Sequence, residues 1–216
     1  DLPWLRERHP RLRLLELPVV DTLWLSPLAF PGNPYHRLVK DYKLIRDSLN
    51  SPLADCASTL TLFADQQDAL ARLATSHPLE LSCYQALIAP RAGAGLGNFF
   101  FALARQPAPP LERVAEHLPT LLRETDPGLS RSLKVCSTRL AALIGHDLAQ
   151  PELHWPIAYA LAWLRVSGGN SVPAPWVRHQ FPAVGRLITE LRDIPCRDPA
   201  CSYCRSTHDP RSELKR

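Results

Sequence analysis

The chain has 216 residues, 45% of them hydrophobic and 21% charged, which is enough for one large or two small cores and unlike a disordered chain. Its formal charge is only +4, but all but four of the 25 basic residues are Arg, a bias that suits forked contacts to phosphate and that nucleotide bias in a gene also produces. The longest apolar stretch, Pro156 to Leu164, is far too short to cross a bilayer and no charged-then-apolar leader opens the chain, so a cytoplasmic protein is expected, with no membrane partner.

Leu2 to Arg8 has helical spacing, Leu14 to Val20 is a short apolar strand candidate, and Asp21 to Leu28 restarts a helix. Phe30 to Pro34 forms a Pro/Gly/Asn turn, and Tyr35 to Arg46 places Leu38, Tyr42 and Ile45 at roughly helical intervals. Leu53 to Ala74 sets Leu60, Phe63, Ala64, Leu70 and Leu73 near one face, which predicts a long amphipathic helix closing at Thr75-Ser76-His77-Pro78. From Leu79 onward the pattern becomes short helices punctuated by Pro and Gly, and a mainly helical second domain is expected.

Within that domain, Ala92 to Asn98 is Gly-rich but has neither the Lys-Ser/Thr ending of a P-loop nor the setting of a dinucleotide fold, so a flexible loop is expected. Gln106 to Pro110 is a Pro-rich connector, and Leu111 to Glu124 and Leu129 to Leu143 carry helical patterns. Ile157 to Val166 is apolar nearly all round, as a central core helix should be, and breaks at Ser167-Gly168-Gly169-Asn170. Trp155, Trp163 and Trp176 can stack on unpaired bases, although aromatic residues beside apolar helices usually belong to the core. The Arg178-His179-Gln180 step offers either a phosphate contact or a solvated helix start.

Three of the six Cys lie between Cys196 and Cys204, and clustering of this kind favours metal ligation over disulfides. Cys196, Cys201, Cys204 and His208 supply four ligands within 13 positions: the two-residue gap lets one turn grip an ion, and His208 follows a helical turn later. Zinc in a Cys3His site is the leading expectation, and such a clip would compensate for the small core of a short segment. The alternative is a 4Fe–4S cluster in which Cys136 reaches in from the helical domain as a distant fourth ligand. Cys56 and Cys83 stand alone and read as buried or inert.

Asp1-Leu2-Pro3-Trp4-Leu5, Val20-Asp21-Thr22-Leu23 and Asn50-Ser51-Pro52-Leu53-Ala54-Asp55-Cys56 resemble, in order and spacing, the second half of a DnaQ-like exonuclease of the ribonuclease-H fold. The resemblance implies a site where acidic residues hold two Mg2+ or Mn2+ ions, which stabilise the entering and leaving oxygens of a phosphoryl displacement. Asp1 and Asp55 match two of that family's metal-binding aspartates, and Asn50 stands where the family places a His as general base. Asn cannot shuttle a proton at neutral pH, which points to slow or lost nuclease chemistry unless another base such as His36 serves.

Leu191-Arg192-Asp193-Ile194-Pro195-Cys196, Cys201-Ser202-Tyr203-Cys204 and Glu213-Leu214-Lys215-Arg216 are similar to the region ahead of the motor in long bacterial RecQ-like DNA helicases with an amino-terminal exonuclease. The resemblance implies an excerpt of such a helicase acting in DNA repair or recombination, on single-stranded DNA or 3′ ends, with the ATP-hydrolysing motor beyond Arg216. The expected fold is mixed to mainly α: a truncated ribonuclease-H-like half over residues 1–76, a helical linker domain over 77–190, and a Cys-rich metal clip over 191–216 leading to the motor. The rival expectation is a non-enzymatic DNA-binding or docking module built on a degenerate nuclease fold.

Overall fold

In the computed structural model, which describes residues 2–33, 52–89, 93–123, 135–166 and 172–208, every regular element is helical and no strand occurs among those residues. Leu2–Arg8 forms α1, as its spacing predicts. Leu14 to Val20, expected as a strand, instead begins within a single 3-10 turn, Arg13–Glu16, and continues irregularly. A strand needs a neighbour to share its backbone hydrogen bonds, and Pro18 withholds a donor as well. The sheet that a ribonuclease-H-like half requires is therefore not part of what the described residues form.

The extended stretch packs instead against helix α5, Gly93–Ala104. A Cβ at Gly95 would lie 1.9 Å from the Val19 carbonyl oxygen, so only glycine lets the two backbones approach this closely. Gly93 to Asn98 of the Gly-rich segment thus open a helix rather than form a loop, and Ala92 lies outside the described residues. Burial of Leu96, Phe99 and Phe100 offsets the roughly 1 kcal/mol that each glycine costs a helix.

Asp21 caps α2, Thr22–Ala29, by accepting the Leu23 N–H at 2.8 Å. Helix α3 runs over Pro52–Ser76, and its Gln66, fully buried, donates to the Thr22 carbonyl at 2.8 Å and so fastens α3 to α2. The expected helix over Tyr35 to Arg46 lies outside the described residues. Helix α4, Pro78–Ile88, and helix α8, His154–Val166, are buried over most of their surfaces and cross at the centre of the molecule. Between them Arg165 meets Glu80 at 2.6 Å, and the fully buried Tyr84 hydroxyl donates to the same carboxylate.

Helix α6, Leu111–Arg123, buries Val114, Leu118, Leu121 and Leu122 on one face and keeps Glu112, Arg113 and Glu116 in water. Helix α7 covers Ser137–Gly145, shorter among the described residues than the pattern from Leu129 suggests. Two short helices follow α8, α9 over Pro175–Gln180 and α10 over Pro182–Ile188. Their junction places Phe181 face to face with Trp155 at 4.0 Å, with Trp24 edge-on to both. Trp155 and Trp163 are core residues and Trp176 packs against the same core, so base stacking has no free face at Trp155. A π turn over Thr189–Asp193 leads away from α10, and the described chain closes with α11, Ser202–His208. No helix among the described residues is long and apolar enough to cross a membrane.

Candidate metal centre

The segment after the π turn has almost no apolar core of its own: Cys136, Cys201, Tyr203 and Cys204 form a small buried cluster separate from the main one. Cys136 enters it from the start of α7, where its Sγ accepts the Arg139 N–H at 3.5 Å as the helix cap. Its own N–H donates to the Leu191 carbonyl at 2.7 Å, which ties the beginning of α7 to the π turn. Beyond that turn the backbone reverses at Arg197, a non-glycine residue with φ of 65°, and Asp198 accepts the Ala200 N–H at 2.9 Å. These two turns bring Cys196 back over Cys204, so that the Cys196 N–H reaches the Cys204 Sγ at 3.5 Å.

The outcome is four sulfur atoms, of Cys136, Cys196, Cys201 and Cys204, all within 4.8 Å of one another. The sulfurs of Cys136 and Cys201 are 3.8 Å apart and join residues 65 positions distant in sequence. Four thiols this close can hold a metal ion. A tetrahedral ion with bonds of about 2.3 Å sets its sulfurs roughly 3.8 Å apart, so a contraction of about an ångström suffices.

Polar neighbours fix the ligand shell. The Ser137 hydroxyl donates to the Cys201 Sγ at 3.7 Å, and the Thr138 hydroxyl donates to the Asp198 carboxylate at 3.1 Å, bridging α7 to the loop. At Cys196 and Cys201 burial opposes ionisation, but hydrogen bonds outweigh it: from the Asp198 N–H and Thr138 at Cys196, and from the Cys204 N–H and Ser137 at Cys201. Both thiols are lowered, Cys201 to about 6. Burial prevails at the other two, raising Cys136 and pushing Cys204 up to about 12. The site thus combines two thiols eased toward ionisation with two held protonated by burial, whose protons an incoming cation would displace.

His208, expected as the fourth ligand, is placed otherwise. Its Nε2 lies 3.0 Å from the Arg192 carbonyl oxygen, its ring packs edge-on to Tyr203, and the four-sulfur group does not include it. Tyr203 donates to the same carbonyl at 3.1 Å, and the Arg192 guanidinium sits 4.8 Å over the Trp163 ring of α8. These contacts anchor the cysteine segment to the helical body independently of any ion. Ser137, Thr138 and Arg192 were not singled out from sequence; a polar pair directly after Cys136 was the only available sign.

The expected exonuclease residues are not assembled among the described residues. Asp55 lies in the first turn of α3, partly buried, and belongs to no group of three or more metal-ligating side chains there. Asp1, Asn50 and His36 lie outside the described residues. Of the lone cysteines, Cys56 is exposed, whereas Cys83 is buried and burial pushes its thiol up to about 12. Comparison of the chain with protein families, with characterised proteins and with solved structures finds no match.

Proposed function

We propose that Cys136, Cys196, Cys201 and Cys204 hold one zinc ion, and that this ion staples the segment after the π turn to the helical domain, making the chain a docking module on the DNA side of a RecQ-like helicase. The observation that carries the reading is the convergence of four sulfurs within 4.8 Å, three from one short segment and one from the start of α7. All-sulfur donors suit zinc or an iron–sulfur group. A 4Fe–4S cube, with an iron at each of four corners, would hold its thiolates farther apart than a single ion does, so the spacing favours zinc.

Zinc supplies no redox chemistry, and here all four positions would be filled by protein, the mark of a structural site. Its contribution is to fix the direction in which the chain leaves α10. The resemblance to the region ahead of a helicase motor gives that direction a purpose, namely to set the motor against the helical domain. An exonuclease role for the flanking Asp1, Asn50 and Asp55 rests on that resemblance alone, and the docking role is preferred because it requires only groups that are already together.

Protein purified anaerobically should be colourless and carry about one zinc per chain, and cobalt(II) should replace the zinc with the strong thiolate charge-transfer bands of a tetrahedral four-sulfur site. A brown protein carrying iron and labile sulfide would overturn the zinc assignment. Single-stranded DNA should bind with steep salt dependence and remain uncut in the presence of Mg2+ or Mn2+. Metal-dependent degradation by this chain would replace the docking role with the exonuclease.

A further inference from the structure

We propose that the groove between α9 and α10 binds the phosphate backbone of single-stranded DNA, with the Arg178 guanidinium as its cationic wall, His179 as a second hydrogen-bonding group and Gly185 as its open floor. The inference rests on the DNA-side role proposed above and gives it a contact surface. The groove has a volume of about 460 Å3 and is lined by Pro175, Arg178, His179, Pro182 and Gly185. Arg178 and His179 occupy the last turn of α9, are exposed, and have no acidic partner among the described residues. The acids that α10 faces are already engaged: Arg186 meets Glu190 at 3.1 Å and Asp147 at 3.6 Å. Two uncommitted donor groups therefore face a concavity that holds no competing carboxylate among its lining residues.

A simpler account would have these side chains cap the carbonyl end of α9, where cations are favoured. That end already has backbone partners, with the Phe181 N–H donating to the Val177 carbonyl at 2.7 Å and the Val184 N–H to the Phe181 carbonyl at 3.0 Å. The shape of the groove also selects among anionic ligands. Phe181 is stacked on Trp155 and no aromatic residue is among those lining the groove, so a small anion would not be enclosed. An open channel with a forked guanidinium on one side suits a charged polymer passing through, with backbone contacts and no base readout. Gly185 contributes space, since a Cβ built there meets nothing within 4 Å.

That open position supplies variants which alter the groove without burdening the fold. Binding of a labelled oligo(dT) strand to the full chain should be followed by anisotropy over a range of salt concentrations. Arg178→Ala should weaken binding roughly tenfold and make the log–log salt slope shallower by about 0.7, the increment for one lost single-strand phosphate contact. Gly185→Glu should weaken binding and Gly185→Lys should tighten it, both with zinc content and helical circular dichroism unchanged. Arg72→Ala, on the exposed face of α3, should leave binding as it is. The groove is overturned if Arg178→Ala matches the parent, if Arg72→Ala weakens binding equally, or if the two Gly185 variants shift it in the same direction. In those cases the docking role survives with its DNA contact elsewhere, whereas a parent chain that does not bind the strand at all overturns both.

Discussion

Arg105 and Arg197 both hold a left-handed backbone, with φ of 53° and 65°. An L-residue pays about 1 kcal/mol or more to sit there, and glycine does not. Arg105 closes α5, its N–H donating to the Phe101 carbonyl at 2.8 Å, so the conformation serves as a helix stop. Arg105→Gly is accordingly expected to stabilise the chain by about 1 kcal/mol, seen as a rise in Tm of roughly 2–4 °C by calorimetry. An unchanged or lowered Tm would show that the Arg105 side chain contributes more than its backbone costs. Arg197 makes the corresponding turn beside Cys196, where the conformation brings two of the four sulfurs together.

At the scale of elements, α4 and α8 cross through a polar contact inside an apolar core. Glu80 is 4% and Arg165 15% exposed at the side chain, so each charge depends on the other, and Tyr84 completes the carboxylate's hydrogen bonding. Removing one partner strips the other of its ion pair inside the core, so Glu80→Ala or Arg165→Ala should cost about 3–5 kcal/mol by chemical denaturation. Replacing both by Met should recover most of that loss, and a double variant no better than the single ones would show that the pair itself is strongly stabilising.

Which elements were legible in the sequence follows the same physics. Helices α1, α2, α3, α6 and α8 were readable because each repeats its apolar residues at helical spacing or, in α8, is apolar all round. The start of α5 was not, since its glycines signal a loop locally and the compensating burial of Leu96, Phe99 and Phe100 depends on distant neighbours. Leu14 to Val20 has strand composition, but composition cannot supply a pairing partner. For the candidate site, Cys196, Cys201 and Cys204 were legible from spacing, and Cys136 was named only as an alternative to His208. The choice between them turned on α7 and the π turn meeting through the Cys136 N–H and the Leu191 carbonyl, which no local spacing encodes.

Taken as a whole, the molecule is a helical body with a thinly cored extension held by two devices. One is permanent: Arg192 over Trp163, with Tyr203 and His208 at the Arg192 carbonyl. The other, under the proposed function, is a metal ion held by the four sulfurs, which would add to the Ser137–Cys201 and Thr138–Asp198 contacts that already join α7 to the loop. The extension is therefore the part whose order should depend on the ion, while the α4–α8 core stands without it. The most direct test is the zinc content of the purified chain beside its Cys136→Ser and His208→Ala variants, by elemental mass spectrometry after dialysis against a weak chelator. One zinc per chain in the parent and in His208→Ala, with loss in Cys136→Ser, is the predicted result. Zinc kept by Cys136→Ser and lost by His208→Ala would contradict the four-sulfur centre and the staple built on it.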